Sequence, residues 1–321
     1  MTASELPWLE AHKAQLRAAF AAAHLAHAIL IHEARGTGGD VLAIWLAQLV
    51  LCTVQGHEPC GACAGCQRAA SRQHPDLVTL APIEESRQIR IEQVRELSSE
   101  LAFTSHQGGY KVAIISPADA LNRNAANALL KTLEEPTPRT VLILVATQPS
   151  RLPATLLSRC QRVHIRAPSR IEAVAWLQSA RGPNDWRGAL ETLGDAPLLA
   201  ADSDPKVVVE LATDTQRVLD ETRLGRADPV VTAERWGRTE LPLRLLCIEN
   251  WLTDRIRSHF ADAGFSVEVP VGRHLQRSTG MPSIRKLFGL VDAVQELKAS
   301  LDAPINRSLA LESLLRRLTP S

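Results

Sequence analysis

The chain has 321 residues, too many for a single hydrophobic core, so its length predicts two or three domains. Lysine and arginine number 36 and aspartate and glutamate 35, which excludes a charge field that would draw the whole chain onto nucleic acid. No apolar run approaches the roughly 18–20 residues of a membrane span, and residues 1–7 lack a signal-peptide pattern. We therefore expect a cytoplasmic protein without membrane contact, whose cysteines are thiols or metal ligands.

Short apolar runs in the first half of the chain alternate with segments of helical periodicity, a pattern that predicts a parallel sheet covered by helices. The predicted strands cover residues 28–31, 77–80, 111–115, 141–145 and 163–165. Helices are predicted over residues 40–51 and 125–135, the second of them ended by Pro136 and Pro138.

Beyond Pro168 the strand signal fades and the pattern becomes helical. Helices are predicted over residues 170–180 and 186–193, with a linker at residues 202–205. Near the end of the chain, six apolar residues keep the three-and-four spacing of one amphipathic helix: Leu287, Leu290, Val291, Val294, Leu297 and Leu301. The C-terminal third is therefore predicted to be a helical bundle.

Four cysteines form the pattern C-x7-C-x2-C-x2-C: Cys52, Cys60, Cys63 and Cys66. Four thiolates saturate a tetrahedral zinc ion and leave no position for water, so we predict a structural zinc site. The alternatives are four reduced cysteines without a metal, or an iron–sulfur cluster, although nothing else in the sequence suggests redox work. His57 and His74 lie nearby and are alternative ligands, but they are expected to face solvent. Cys160 and Cys247 are expected to be small core residues.

A glycine-rich loop lies between the first predicted strand and the helix that follows it, which is the layout of a phosphate-binding loop. When Gly36 and Gly38 are placed on that loop, Gly39 stands where the lysine belongs and Asp40 where serine or threonine belongs. Glu33 replaces the first glycine, so two carboxylates crowd the site and the expected cation is missing. The loop is therefore predicted to be degenerate, with no ATP expected in it. Weak binding of a nucleotide through the backbone N–H groups at Gly36 and Gly38 stays open at this point.

The third predicted strand is degenerate in the same way. An ATPase would follow this strand with two acids, for Mg²⁺ and for the attacking water, but here Ser116 and Pro117 follow Ile115. Defects in both expected places indicate a decayed nucleotide site. The alternative is that the chain never had a nucleotide-binding fold.

Two motifs carry a resemblance to a known family. The segment 124–136, with the sequence NAANALLKTLEEP, is followed by LLSRC at 156–160, and together they resemble the clamp-loader branch of the AAA+ proteins. The four-cysteine module narrows the resemblance to the bacterial tau/gamma and delta-prime families of DNA polymerase III. The missing lysine and acids favour the delta-prime family, and segments 74–76 and 305–307 are similar to its gammaproteobacterial members.

This resemblance implies an α/β fold with three domains. They are a RecA-like AAA+ core at 1–167 with the zinc module at 52–66, a helical lid at 168–204, and an all-α collar domain at 205–321. It also implies that Arg159 is an arginine finger, which reaches ATP on a neighbouring tau/gamma subunit. The alternative for Arg159 is a surface ion pair.

The resemblance further implies the partners: the tau/gamma and delta subunits, the sliding clamp, and primer–template DNA through the assembled complex. The holoenzyme is a DNA-directed DNA polymerase, hence a nucleotidyltransferase, while this chain is expected to have no ATPase of its own. Pro197 stands where active relatives carry a lid arginine, and Thr147 stands at a polar sensor position. Both departures favour a silent nucleotide site, in which Thr147 is structural.

Three functions remain open at this point. The first is a non-catalytic subunit that scaffolds the loader and presents Arg159 to a partner. The second is an active ATPase with an irregular phosphate loop, which turnover by the pure chain would reveal. The third is a zinc-dependent nucleic-acid-binding module, which the near-neutral charge and the low aromatic content disfavour.

Overall fold

The chain folds into two compact units. The first comprises Met1–Trp176 with Ala196–Leu198, and the second Leu177–Asp195 with Leu199–Ser321. The computed structural model describes residues 6–54, 58–83, 86–106, 108–262, 283–301 and 306–319. In those ranges no helix combines the length and the apolar character that crossing a bilayer requires. The division into three domains remains a prediction.

The first unit is built on a parallel sheet of five strands. In chain order they are β1 (Ala28–Glu33), β2 (Leu77–Leu80), β3 (Lys111–Ile115), β4 (Thr140–Ala146) and β5 (Gln161–Ile165). Their order in the sheet is β2-β3-β4-β1-β5, and every neighbouring pair is parallel. All five predicted strands are confirmed, and β1, β4 and β5 are longer than predicted. Since parallel strands end at one edge, the loops after β1, β3 and β4 lie close together.

Helices cover both faces of this sheet. In chain order they are α1 (Glu10–Ala21), α2 (Gly39–Leu51), α3 (Ala64–Ala70), α4 (Ile91–Ala102), α5 (Arg123–Glu134) and α6 (Ala154–Leu157). Helix α2 packs against β1, β3 and β4, while α4 and α5 share a core with the opposite face of the same strands. Strands β3 and β4 are buried along their whole length, as is typical of central strands in a parallel sheet that is covered on both faces.

Helix α5 carries the most specific motif of the sequence. The side chain of Asn122 accepts a hydrogen bond from the Ala125 N–H at 2.8 Å and so begins the helix. The helix starts two positions before the prediction and ends at Glu134, one position before it, with Pro136 close behind. Its apolar side, which includes Leu129 and Leu133, is buried against the sheet. The motif therefore has a structural role whatever else it does.

The remaining elements are helical: α7 (Arg170–Arg181), α8 (Trp186–Leu193), α9 (Pro197–Ala201), α10 (Pro205–Arg223), α11 (Pro229–Arg238), α12 (Leu241–Asp262), α13 (Ile284–Ala299) and α14 (Arg307–Arg316). The predicted linker is the break between α9 and α10, where Asp204 caps the new helix and Pro205 opens it. Leu287, Leu290 and Val294 are buried in the core of the second unit. Helix α13 ends at Ala299, however, so Leu301 lies beyond the helix in which it was predicted.

Candidate functional site

The loop between β1 and α2 has the backbone of an anion-binding loop. Gly36 and Gly38 have φ angles of 73° and 100°, a left-handed region that glycine enters at little cost. Gly38 precedes the first residue of α2, Gly39, so the unpaired N–H groups of the first helical turn face into the loop. These donors attract a negatively charged group.

The group that occupies this loop is the chain's own Glu33. The Gly39 N–H donates a hydrogen bond to Oε2 of Glu33 at 2.7 Å. The hydroxyl of Thr37, which is fully buried, lies 3.3 Å from the same oxygen and 2.7 Å from the Ala34 carbonyl. A carboxylate oxygen therefore accepts the hydrogen bonds that the loop would otherwise offer to a phosphate.

Burial of this carboxylate has an electrostatic cost. Removal from water raises the pKa of Glu33 above its ordinary value, and the neighbouring charge of Asp40 adds to the increase. The hydrogen bond from the Gly39 N–H acts in the opposite direction, because it stabilises the charged form. Asp40 itself is exposed, so only one of the two carboxylates expected to crowd the loop fills it.

Three apolar residues pack over the loop and close it. The Trp8 indole N–H donates to the Thr37 carbonyl at 2.8 Å. The Leu198 N–H donates to the Gly36 carbonyl at 3.1 Å. The side chain of Leu6 lies so close to Gly38 that a Cβ atom there would be 2.7 Å from Leu6 Cδ1.

The position of the missing lysine has no room for a side chain. A Cβ atom on Gly39 would lie 2.6 Å from Cδ of Glu33 and 2.7 Å from Cγ1 of Val145. These separations are far below ordinary contact, so a lysine at residue 39 requires Glu33 and its surroundings to move. The substitution of lysine by glycine and the presence of Glu33 are therefore two parts of one arrangement.

One charged residue of the loop was missed in the reasoning from sequence. Arg35 lies on the loop and is exposed. Its charge is evident in the sequence, but it stands at none of the positions that the phosphate-loop pattern specifies. The loop thus has a cation, but not at the lysine position.

An acidic residue, Asp119, lies at the edge of the sheet beyond β3, and the sequence analysis did not assign it to the site. Ser116 and Pro117 follow β3 as predicted, and the Ser116 N–H donates to the Leu80 carbonyl at 3.0 Å. Asp119 comes just after them, and its Oδ2 accepts hydrogen bonds from the Thr147 hydroxyl at 3.1 Å and the Gln148 N–H at 2.9 Å. Thr147 therefore joins two loops, in keeping with the structural role expected for it.

Arg159 lies just after α6 and is exposed at the surface of the first unit. Its Nη2 forms an ion pair with Oε1 of Glu134 at 2.7 Å, and its Nη1 donates to the Thr155 carbonyl at 2.8 Å. On either side of it, Leu156 and Cys160 are buried in the core shared with α5. Burial raises the pKa of the Cys160 thiol to about 11, which fits a core residue.

The four predicted metal ligands lie together. The sulfur atoms of Cys52, Cys60, Cys63 and Cys66 all lie within 4.8 Å of one another. Two of the separations, Cys52 to Cys63 and Cys60 to Cys66, are 3.9 Å. Sulfur atoms about 2.3 Å from a tetrahedral zinc ion are about 3.8 Å apart, so the cluster has the size of a zinc site.

The electrostatics of the cluster also suit a cation. Hydrogen bonding by Thr53 lowers the pKa of the Cys63 thiol to about 5, and the backbone N–H of Cys63 lowers that of Cys60. Burial instead raises the pKa of Cys66. A bound cation would offset that burial by stabilising the thiolate.

Helix packing brings these cysteines together. Gly65 in α3 lies against the end of α2, where a Cβ atom would be 2.4 Å from the Leu51 carbonyl oxygen. The Gln48 side chain donates to the Cys66 carbonyl at 3.1 Å and ties the same two helices. Only glycine permits so close an approach of the two backbones.

Both histidines near the cluster were predicted to face solvent, and the structure describes one of them. His74 was expected to face solvent, but it is buried, and its Nδ1 accepts a hydrogen bond from the Asp76 N–H at 3.0 Å. The expectation was wrong because this local hydrogen bond holds the ring inward. His57 lies outside the described residues.

The comparisons with known proteins agree in pointing to one family. A family model described as DNA polymerase III, delta subunit, matches residues 8–169. The DNA polymerase III subunit delta' of Pseudomonas aeruginosa is 34% identical over 96% of this chain and 95% of its own length. That of Escherichia coli is 32% identical over 97% of this chain and 94% of its own length. The Escherichia coli subunit tau is 35% identical, over 44% of this chain and 22% of its own length.

Proposed function

The chain belongs to the DNA polymerase III delta-prime family, and from this premise we propose that it is a non-catalytic subunit of the clamp loader. In this proposal it scaffolds the loader ring together with tau/gamma and delta subunits in the cytoplasm. It supplies Arg159 to the ATP site of a neighbouring tau/gamma subunit, and it helps place the sliding clamp on primer–template DNA. The holoenzyme, and not this chain, performs nucleotidyl transfer.

The observation that carries the proposal is the carboxylate of Glu33 at the start of α2. It accepts the hydrogen bond of the Gly39 N–H at 2.7 Å, at the place where a phosphate would be held. A triphosphate there would have to displace a bound negative charge and would find no lysine to replace the lost contact. The loop is also closed by Leu6, Trp8 and Leu198. Hydrolysis by this chain itself is therefore disfavoured.

The position of Arg159 supports a role in trans. Its backbone is fixed by two buried neighbours, while its guanidinium lies at the surface with a side chain 37% exposed. An arginine presented in this way can stabilise the negative charge that develops on a transferred phosphoryl group. In the free chain the guanidinium forms an ion pair with Glu134. In our proposal the same guanidinium contacts ATP of the neighbouring subunit once the loader has assembled.

The four cysteines support a structural role for zinc. A zinc ion bound by four thiolates has no open position, so it stabilises the fold and does not activate water. Cys52, Cys60, Cys63 and Cys66 would hold it between the end of α2 and the start of α3. The metal would then fix the connection between these two helices.

The finger assignment is tested by Arg159→Ala in the reconstituted loader. Other sites would mask the effect, so the tau/gamma subunits should carry alanine at their own finger arginines. The measured hydrolysis then comes from the ATP site that faces Arg159. We expect Arg159→Ala to lower hydrolysis there by at least about tenfold, because the transition-state charge is no longer offset. Arg159→Lys should recover only part of the rate, since lysine lacks the bidentate donor geometry.

Folding should be nearly unaffected by the same substitution, because an exposed ion pair contributes about 0–1 kcal/mol. A melting temperature close to that of the wild-type chain is therefore the required control. Unchanged hydrolysis in a properly assembled loader, at saturating clamp and primed DNA, would contradict the finger assignment.

A further inference from the structure

The guanidinium of Arg159 is held at both of its terminal nitrogens. Nη1 donates to the Thr155 carbonyl at 2.8 Å, and Nη2 pairs with Oε1 of Glu134 at 2.7 Å. A guanidinium has more N–H groups than these two contacts use, so it can still donate to another acceptor while both contacts remain. The side chain is therefore oriented without being fully occupied.

The location of Glu134 is not explained by helix stability. It is the last residue of α5, and a negative charge in the last turn of a helix is unfavourable because that end carries the negative pole of the helix dipole. The side chain of Glu134 is also 50% exposed, so it fills no core position. Among the residues that the structure describes, Glu134 forms an ion pair with Arg159.

The core beneath this pair fixes the distance between its two members. Leu129 and Leu133 of α5 and Leu156 of α6 belong to one buried cluster. Cys160, next to Arg159, belongs to the same cluster. The two backbone positions that carry the ion pair are consequently set by packing, and only the side chains are free to adjust.

We propose that Glu134 is a positioning residue for Arg159, an inference that rests on the proposed function. Glu134 and the Thr155 carbonyl hold the guanidinium in one orientation before the neighbouring subunit's phosphates reach it. A long arginine side chain otherwise loses conformational freedom when it binds, and prior ordering reduces that loss. The remaining N–H groups then meet the phosphate oxygens.

Glu134 acts on Arg159 by geometry and by charge, and these effects oppose each other. As a hydrogen-bond acceptor it orients the guanidinium, which favours catalysis. As an anion it offsets part of the positive charge that the phosphoryl group meets, which disfavours catalysis. Glutamine keeps an acceptor oxygen at the same place and removes the charge, whereas alanine removes both.

The substitutions therefore have distinct expected results in the loader whose tau/gamma finger arginines are replaced. Glu134→Ala should lower the hydrolysis rate by about two- to fivefold, the range that an exposed ion pair can supply. Glu134→Gln should equal or exceed the wild-type rate. The matched control is Glu135→Ala, which removes an exposed glutamate one position further along and should leave the rate unchanged.

The decisive measurement is a double-mutant cycle with Arg159→Ala. A residue that acts through Arg159 has no further effect once Arg159 is absent, so Glu134→Ala should be silent in the Arg159→Ala background. A structural defect would instead lower the rate equally in both backgrounds and would also lower the melting temperature. Either an additive loss or a wild-type rate for Glu134→Ala would overturn the positioning role.

The same cycle separates this inference from the proposal on which it rests. If Arg159→Ala alone leaves hydrolysis unchanged, the finger assignment fails. If Arg159→Ala lowers hydrolysis and Glu134→Ala does not, the finger assignment stands and the role of Glu134 is refuted.

Discussion

At the scale of single residues, Glu33 explains more of the site than any other side chain. The carboxylate lies 2.7 Å from the Gly39 N–H and leaves no room for a side chain at residue 39. The reasoning from sequence identified the absent lysine and the presence of an acid at residue 33. It could not show that the acid occupies the loop, because that depends on the direction of a side chain at the end of β1.

The electrostatic cost of Glu33 predicts a pH-dependent effect of Glu33→Gln on stability. Burial raises the pKa of Glu33 in the folded state above its unfolded value, so the folded state binds this proton more tightly. The stability that protonation contributes is full below the unfolded pKa, near 4.3, and is lost as the pH rises through the folded pKa. Glutamine does not titrate. The free energy of unfolding of Glu33→Gln should therefore rise relative to that of the wild type as the pH increases from about 4 to neutral.

Urea unfolding of both chains across that pH range measures the difference. Glu33→Ala is the useful contrast, because it leaves the Gly39 N–H without its acceptor and should cost about 1–3 kcal/mol. A difference in stability between the Glu33→Gln variant and the wild type that stays constant with pH would contradict an electrostatic cost of this half-buried carboxylate.

At the scale of elements, the cysteine cluster adds to the direct packing that joins α2 and α3. The sulfurs of the cluster converge within 4.8 Å, but Cys60 is exposed, so core packing does not connect it to the other three cysteines. Zinc would supply this connection. Its removal should therefore loosen residues 52–66 and leave the sheet folded.

Zinc content and proteolysis test this prediction together. The wild-type chain should contain about one zinc per chain. Cys63→Ala should lose it and become sensitive to protease at the module, and chelator treatment of the wild type should have the same effect. Cys247→Ala, which removes a buried thiol outside the cluster, is the matched control and should keep its zinc. Protease resistance that does not change on chelation would argue against a structural metal.

The elements themselves were predictable where local signals were strong. Residues 141–145 of β4 form a continuous apolar run, which favours a parallel strand buried on both faces, and the whole of β4 is buried. Helix α4 was not predicted, although Val94, Leu97 and Leu101 keep a helical spacing and are all buried. Leu301 was assigned to α13 because spacing alone does not show where a helix ends.

Contacts between distant parts of the chain could not be predicted. The pairing of Arg159 with Glu134 depends on how α5 and α6 pack on one core. The closure of the loop by Trp8 and Leu198 depends on segments far from it in sequence. His74 was misjudged for the same kind of reason, since its burial follows from a turn that the sequence pattern does not specify.

At the level of the whole molecule, we propose that this chain keeps only one of the two parts that an ATP site between subunits requires. The half that binds nucleotide is filled in this chain by Glu33 and closed by apolar residues. The half that we propose to act on a neighbour's nucleotide, Arg159, is at the surface and paired with Glu134. We therefore expect this chain to contribute to hydrolysis only within the assembled loader.

The first measurement to make is ATP binding and turnover by the purified chain, alone and with tau/gamma and delta subunits. We predict no saturable ATP binding and no turnover by the chain alone, and hydrolysis in the complex that falls when Arg159 is replaced by alanine. Saturable binding with turnover by the chain alone would contradict the account, because Glu33 would then have to leave the loop at moderate cost.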